Sequence, residues 1–295
     1  MHLPHPTRPL TVIGSGIGQC GRIIGCEHAP EVILHALAGQ AVQHAIRPDS
    51  HLLYYRGDAH DLNAQQAYFT QIAQLTEQTL AHHQFPLLLG GDHACAIGTW
   101  SGASHYLQTH KNAPLSLIWV DAHLDAHRPD TSPSGNLHGM PVAHLLGHGA
   151  QALCEILSHT PKLKPEYLVY FGIRSFETPE LELLTKLGVK IYYQHELTPQ
   201  RFQANFTAEY ARLVNATGQV GISLDLDGLD ATEIIAVGTP EGEGIGIHSF
   251  LNTLKNCDLT SLLAFEIAEY NPQLDTYRHS LQFIIELIKV LNHGI

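Results

Sequence analysis

An apolar run, LSLIWV at 115–120, gives way to Asp121, His123 and Asp125 at alternate positions. A second run, QVGISL, gives way to Asp225 and Asp227 with the same spacing, and a third, PLLLGG, runs into Asp92 and His93. In extended chain, residues i, i+2 and i+4 point to one side, so Asp121, His123 and Asp125 are expected to face one way, as are Asp225 and Asp227. Four carboxylates drawn together would repel, and burial would make the repulsion worse. A pair of divalent cations removes that conflict by neutralising about four negative charges. Two imidazoles, several carboxylate oxygens and no thiolate favour a hard or borderline ion such as Mn²⁺ over a structural zinc. Singly, each motif is weak. DxH and DxD pairs are common as turn or capping residues, and a GGDH turn can be a mere strand-to-helix connection. Three such clusters, each directly after a buried strand, point to a metal site.

The elements that must position these residues recur along the chain. Short apolar runs lie at 10–14, 51–55, 86–90, 115–120, 167–173, 189–193, 219–226 and 260–267. Their lack of alternation predicts strands buried on both faces of a sheet covered by helices. Helical patterns fall between them. Tyr68, Ile72, Leu75 and Thr79 repeat at four-three-four spacing, and PEVILHALAG carries Pro30 at its first turn and Gly39 as a stop. Thr178, Pro179 and Gly188 repeat that grammar, and Leu281, Ile284, Ile285, Ile288 and Leu291 form one broad C-terminal face. Strands alternating with helices imply parallel pairing and right-handed crossovers, hence an α/β fold built as a three-layer α/β/α sandwich. With no long linker or fixed-period repeat, residues 1–295 are expected to form one domain. In open parallel sheets, ligands bind outside the carboxyl ends of the strands. Four runs end there in polar residues, the last of them leading to Glu269.

Bulk properties narrow the partners. Lys+Arg 16 against Asp+Glu 28 leaves −12, which argues against nucleic acid or an anionic membrane surface. No apolar run approaches about 18 residues, so no membrane span is expected. The N-terminus MHLPHPTRPL lacks the pattern of a signal peptide. Five scattered cysteines without a CxxC suggest reduced thiols in a cytoplasmic protein. The 22 histidines are many, but residues such as His2, His5, His82 and His83 are expected at the surface.

GGDHACAIG, VDAHLDAH, SGNLHGMPV and SLDLDGLD together resemble the signatures of the ureohydrolase superfamily, which contains arginase, agmatinase and formiminoglutamase. The likeness runs from GQCGRIIGCEHAPEVI to EIAEYNP, nearly the whole chain, with motif order and spacing in agreement. It implies an eight-stranded, mostly parallel sheet, two Mn²⁺ per chain and a trimeric or hexameric homo-oligomer. Carried over by position, His93, Asp121, Asp125 and Asp225 would hold one manganese. Asp121, His123, Asp225 and Asp227 would hold the other, with Asp121 and Asp225 bridging. A hydroxide between the metals would attack a guanidinium carbon, with Asp125 orienting it. His138 would carry the proton to the departing amine, and Glu269 would pair with the guanidinium.

Within the superfamily, TSPSGNLHGMPVAHLLG and GCEHAPEVI are most similar to arginase. Ser132, Ser134 and Asn136 stand where arginases hold an α-carboxylate, with His127 in place of an asparagine. Glu177 stands for the aspartate that meets the α-amino group, and Thr239 for a substrate-loop hydroxyl. Two departures are Ala231 in GLDA, where proline is usual, and Glu241 in GTPEGEG, which resembles agmatinase and guanidino-acid hydrolases. The resemblance thus implies hydrolysis of L-arginine to L-ornithine and urea. Agmatine, a guanidino acid or formiminoglutamate are the alternative substrates, and a non-catalytic metal-binding homologue is the alternative of another class. A zinc deacetylase on the same fold would need a different ligand set.

Overall fold

The eight apolar runs become eight strands. In the computed structural model, which describes residues 8–40, 46 and 50–295, these are β1 (Leu10–Gly16), β2 (His51–Tyr54), β3 (Phe85–Leu89), β4 (Leu115–Val120), β5 (Leu163–Ile173), β6 (Lys190–Tyr193), β7 (Val220–Asp225) and β8 (Leu262–Ala268). They form one sheet in the order β2-β1-β3-β8-β7-β4-β5-β6. Every neighbouring pair is parallel. The five strands β1, β3, β4, β7 and β8 are buried at every residue. β2 and β6 depart from the expected burial, because they are the two edges and each is largely exposed or half-buried. His82 and His83 are exposed as expected, while His2 and His5 lie outside the described residues.

Helices cover both faces. α1 (Ala29–Leu37), α7 (Pro199–Thr217), α8 (Ile247–Lys255) and α9 (His279–Gly294) pack on one side. There Phe202 and Phe206 meet Phe171 of β5, and Phe250 and Phe283 extend the chain of rings from Phe206. α2 (Leu62–Ala81), α3 (Ala96–Tyr106), α4 (Pro141–Leu145), α5 (Gln151–Cys154) and α6 (Thr178–Leu187) cover the other. Local signals set several boundaries. Asp61 caps α2 by accepting from the Ala64 amide at 3.0 Å, a contact of about 1 kcal/mol. Glu177 and Glu180 form a reciprocal capping box at the start of α6, and Gly188 at φ 73° ends it.

α3, α7 and α8 were not among the expected helices. α3 is buried at ten positions, including Gly98, Ser101, Gly102 and Ser104. Its small-residue surface lets it press against α2 but leaves no apolar stripe to read.

The consequence for the site is one of order. β3, β8, β7 and β4 are neighbours at the centre of the sheet, so His93, Glu269, Asp225 and Asp121 follow four adjacent carboxyl ends.

Candidate metal centre and substrate cavity

After β3 the chain turns through Gly90 and Gly91 into a short 3₁₀ turn, His93–Cys95. Asp92 caps that turn by accepting from the Ala94 amide at 3.2 Å. Gly91 is required here, since a Cβ on it would sit 1.7 Å from the Ile17 carbonyl oxygen. His93 is 1% exposed and stacks on Trp119 at 4.3 Å. Its Nε2 lies 3.0 Å from the Ser223 hydroxyl, which donates to Glu266 at 2.6 Å. The serine oxygen therefore accepts from Nε2–H, and the Nδ1 lone pair points into the site.

Three carboxylate oxygens face Nδ1: Asp125 at 3.0 Å, Asp225 at 3.1 Å and Asp121 at 3.2 Å. None makes a well-aligned hydrogen bond, and Nδ1 is a buried atom without a partner. In the bare protein, burial disfavours the imidazolium, but these carboxylates outweigh it and hold His93 well above its usual range. One proton cannot serve three carboxylates. A cation among His93, Asp121, Asp125 and Asp225 can, and their donor atoms lie within 4.8 Å of one another.

A second group within the same limit comprises Asp121, His123 and Asp227. His123 Nδ1 is 3.1 Å from Asp227 and 3.5 Å from Asp121. Asp121 belongs to both groups, while Asp225 clusters with the first. The Asp225 Oδ1 is engaged by the Asp227 amide at 2.8 Å, leaving Oδ2 toward His93. The donors are hard oxygens and imidazole nitrogens on the turns that follow β3, β4 and β7, and this set could hold divalent cations.

Convergence is not produced by strand alternation. β4 stops at Val120, and the chain from Asp121 onward leaves the sheet. Asp125 reaches the site from left-handed backbone at φ 48°, and Glu269 from φ 65°. Such outliers in non-glycine residues cost of order 1–3 kcal/mol and concentrate where geometry is imposed by function. Further donors hold the carboxylates in turn. The Trp119 indole donates to Asp121 at 2.8 Å, the Ala122 amide to Asp227 at 3.2 Å and the Thr239 hydroxyl to Asp227 at 3.0 Å.

Beside the two groups, His138 Nδ1 meets Glu269 at 3.1 Å. Burial opposes protonation of His138, but this carboxylate outweighs it and raises the imidazole to about 9. Glu269 is 4% exposed rather than a surface carboxylate in a turn, and its Oε1 also accepts from the His93 amide at 2.8 Å.

Over this floor opens a cavity of about 460 Å³. His127, Ser132, Ser134, Asn136, Glu177 and Thr239 all line it, together with His123, Asp125, His138, Asp225 and Asp227. Ser132 accepts from the Gly135 amide at 3.0 Å and Ser134 from the Asn136 amide at 3.2 Å, so each hydroxyl keeps its proton to donate. His127 is occupied differently. Its Nε2 meets Glu177 at 3.0 Å and its Nδ1 meets the Thr131 hydroxyl at 3.2 Å. Glu180, close by, is taken up by the Ala126 and Glu177 amides, each at 3.0 Å, and burial pushes it up to about 8.

Several participants had escaped the sequence. Arg22, Ser175 and Glu180 also line the cavity, as does Glu241 of the GTPEGEG segment. Glu266 orients the Ser223–His93 pair from inside β8, and the signal for it was a glutamate within the otherwise apolar LLAFEIA. Arg174 grips the carbonyls of Asp227, Leu229, Glu241 and Gly242, tying the Asp227 turn to the Glu241 loop. That a lone arginine would do this had no signal in one sequence.

Residues 10–291 match the family model described as Arginase family. An arginase of Bacillus caldovelox is 37% identical over 242 residues, covering 80% of this chain and 78% of that one. The crystal structure of arginase from Bacillus subtilis superposes with a TM-score of 0.86 at 31% identity, covering 97% of this chain and 98% of the other. A formimidoylglutamase from Bacillus subtilis shares the fold at a TM-score of 0.75 and 21% identity, over 99% and 88% of the two chains. With a fold and a match of this extent, the chain belongs to the Arginase family of hydrolases acting on guanidino substrates.

Proposed function

We propose that this protein is an arginase, a single-domain enzyme that hydrolyses L-arginine to L-ornithine and urea with two Mn²⁺ per chain. The observation that carries this reading is the shared position of three sets of residues. His123, Asp125, Asp225 and Asp227 of the two His/Asp groups, His138 of the His138–Glu269 pair, and Ser132 and Ser134 all line one cavity.

His93, Asp121, Asp125 and Asp225 would hold one ion, and Asp121, His123, Asp225 and Asp227 the other. When bound, the ions supply the activated water that attacks the guanidinium carbon. Asp125 orients that attack by accepting a hydrogen bond. The Glu269 Oε1 is committed to His93 and His138, while Oε2 lies 3.9 Å from where a Gly238 Cβ would stand. That second oxygen is the one to receive a guanidinium N–H. Thr239 gives its proton to Asp227, so toward substrate its oxygen acts as an acceptor. His138, held at Nδ1 by Glu269, passes its proton from the opposite nitrogen to the departing amine, and Glu269 favours its charged form.

At the far end, Ser132, Ser134 and Asn136 would meet the α-carboxylate. Glu177, steadied by His127, would meet the α-ammonium. Losing the carboxylate, as in agmatine, forfeits the hydrogen bonds that these partly exposed donors make to a charged group, about 1.5–3 kcal/mol each. Two such losses correspond to a preference on the order of 10²-fold. Glu241 at the rim favours a second reading, hydrolysis of agmatine or a guanidino acid. Five free thiols suit a cytoplasmic setting, and the family likeness suits a trimer or hexamer. No helix among the described residues is long and apolar enough to cross a membrane.

The test is product release from L-arginine, agmatine, 4-guanidinobutyrate and formiminoglutamate with Mn²⁺ present. L-arginine is expected to lead. Equal or better turnover of agmatine overturns the arginase reading in favour of the second.

A further inference from the structure

Asp92 has no role in the reading above, yet it is fully buried between the metal groups and the His138 loop. Its carboxylate is divided between two backbone donors on distant segments. Oδ1 takes the Ala94 amide at 3.2 Å, the local bond that caps the His93 turn. Oδ2 takes the Cys20 amide at 2.9 Å, in the loop after β1. The Cys20 carbonyl then accepts from the His138 amide at 3.2 Å. Gly21 permits the close approach, since a Cβ there would lie 3.3 Å from Asp92 Cβ and 3.6 Å from His138 Nδ1. His138 is thus referred twice to the Gly91–His93 turn. Its ring is held by Glu269, whose Oε1 also binds the His93 amide. Its backbone is held by Cys20, which hangs from Asp92.

A cap alone does not explain the residue type. Serine, threonine or asparagine would cap the turn as well, without the cost of burying a carboxylate that has no ion pair of its own. What serine or threonine lacks is a second oxygen that reaches Cys20. We propose that Asp92 is a positioning residue for His138, setting the height of its backbone over the cavity floor through Cys20. Misplacement of a reacting group by about 1 Å costs on the order of 10²-fold in rate, so the effect is expected in turnover rather than in substrate affinity.

Asp92→Ser tests this, because serine keeps the cap to Ala94 but cannot also span to Cys20. In the Mn²⁺-loaded protein, hydrogen–deuterium exchange of the segment carrying the His138 amide should quicken about tenfold, as expected when a local anchor is lost. By calorimetric titration, Mn²⁺ should bind with affinity within about threefold of the wild type, and kcat should fall about 10²-fold at nearly constant KM. If Asp92→Ser does not fold, Asp92→Thr, which likewise keeps the cap oxygen without a second one for Cys20, is read in the same way. Unchanged exchange overturns the proposal, as does a loss of Mn²⁺ affinity in step with kcat, which would mean that Asp92 acts only through His93. The kinetic arm rests on His138 as proton donor. The exchange arm needs no substrate, so failure of the functional reading and failure of this inference give different results.

Discussion

His138 is where a single side chain decides between chemistry and architecture. It touches Glu269 and lines the cavity but belongs to neither His/Asp group. His138→Ala is therefore expected to lower turnover by roughly 10²–10⁴-fold while Mn²⁺ stoichiometry stays unchanged; loss of metal would make it a ligand. His144, six residues on, shows the opposite balance. Burial pushes it down to about 4, and only the Met140 carbonyl at 2.8 Å favours its charged form. Because its folded value lies below the ordinary 6.5, the unfolded chain takes up the proton first, and stability is lost as pH falls through that window. His144→Asn keeps a donor for Met140 but cannot titrate. Urea unfolding of the metal-free proteins should show the wild type losing about 2 kcal/mol relative to the variant between about pH 7 and about pH 5. A difference that does not change with pH would contradict the account.

At the scale of elements, the packing of α2 on α3 carries the His93 turn, since α3 begins at Ala96 directly after it. Gly102 makes that packing possible, for a Cβ there would stand 2.1 Å from the Ala73 carbonyl oxygen of α2. Backbone cannot yield as a flexible side chain does. Gly102→Ala should cost about 1–3 kcal/mol and lower Tm by about 2–4 °C for each kcal/mol, as read by thermal melts of the metal-free protein. An unchanged Tm would mean that the two helices slide apart freely. The same tight contact explains why α3 was hidden: a helix buried on most sides shows no amphipathic period. β2 and β6 were legible as strands but not as edges, because an edge is a property of what fails to pair beside it.

For the whole molecule, the centre of the sheet gathers Asp121, Asp125, Asp225 and Asp227, each no more than 6% exposed. Burial and mutual repulsion push Asp225 well above the usual carboxylate range, and Asp125 up to about 6. Folding concentrates this repulsion, so ions that bind the folded state should stabilise it strongly. At a hundredfold excess over Kd, the gain is about 2.7 kcal/mol per site. Thermal melts in MnCl₂ and in EDTA should differ by several degrees, and identical melts would count against a resident metal pair.

Much of this was legible in one dimension. The eight strands and the parallel sheet could be read because burial acts through residue type and short spacing, and the ureohydrolase resemblance supplied the candidate ligands and cavity residues. LSLIWV followed by DAHLD announces a buried strand that ends in candidate ligands. Tertiary structure alone decided how those ligands meet. Asp121 and Asp125 converge through a loop with left-handed backbone rather than through strand alternation, which no spacing rule contains. It alone paired His127 with Glu177, 50 positions apart, and joined Asp92 through Cys20 to His138. Ser223 and Glu266 were likewise brought behind His93 only by the neighbouring positions of β7 and β8 in the sheet. Such contacts depend on strand order and on the direction of single side chains, and the free energies that set them arise between segments that are strangers along the chain.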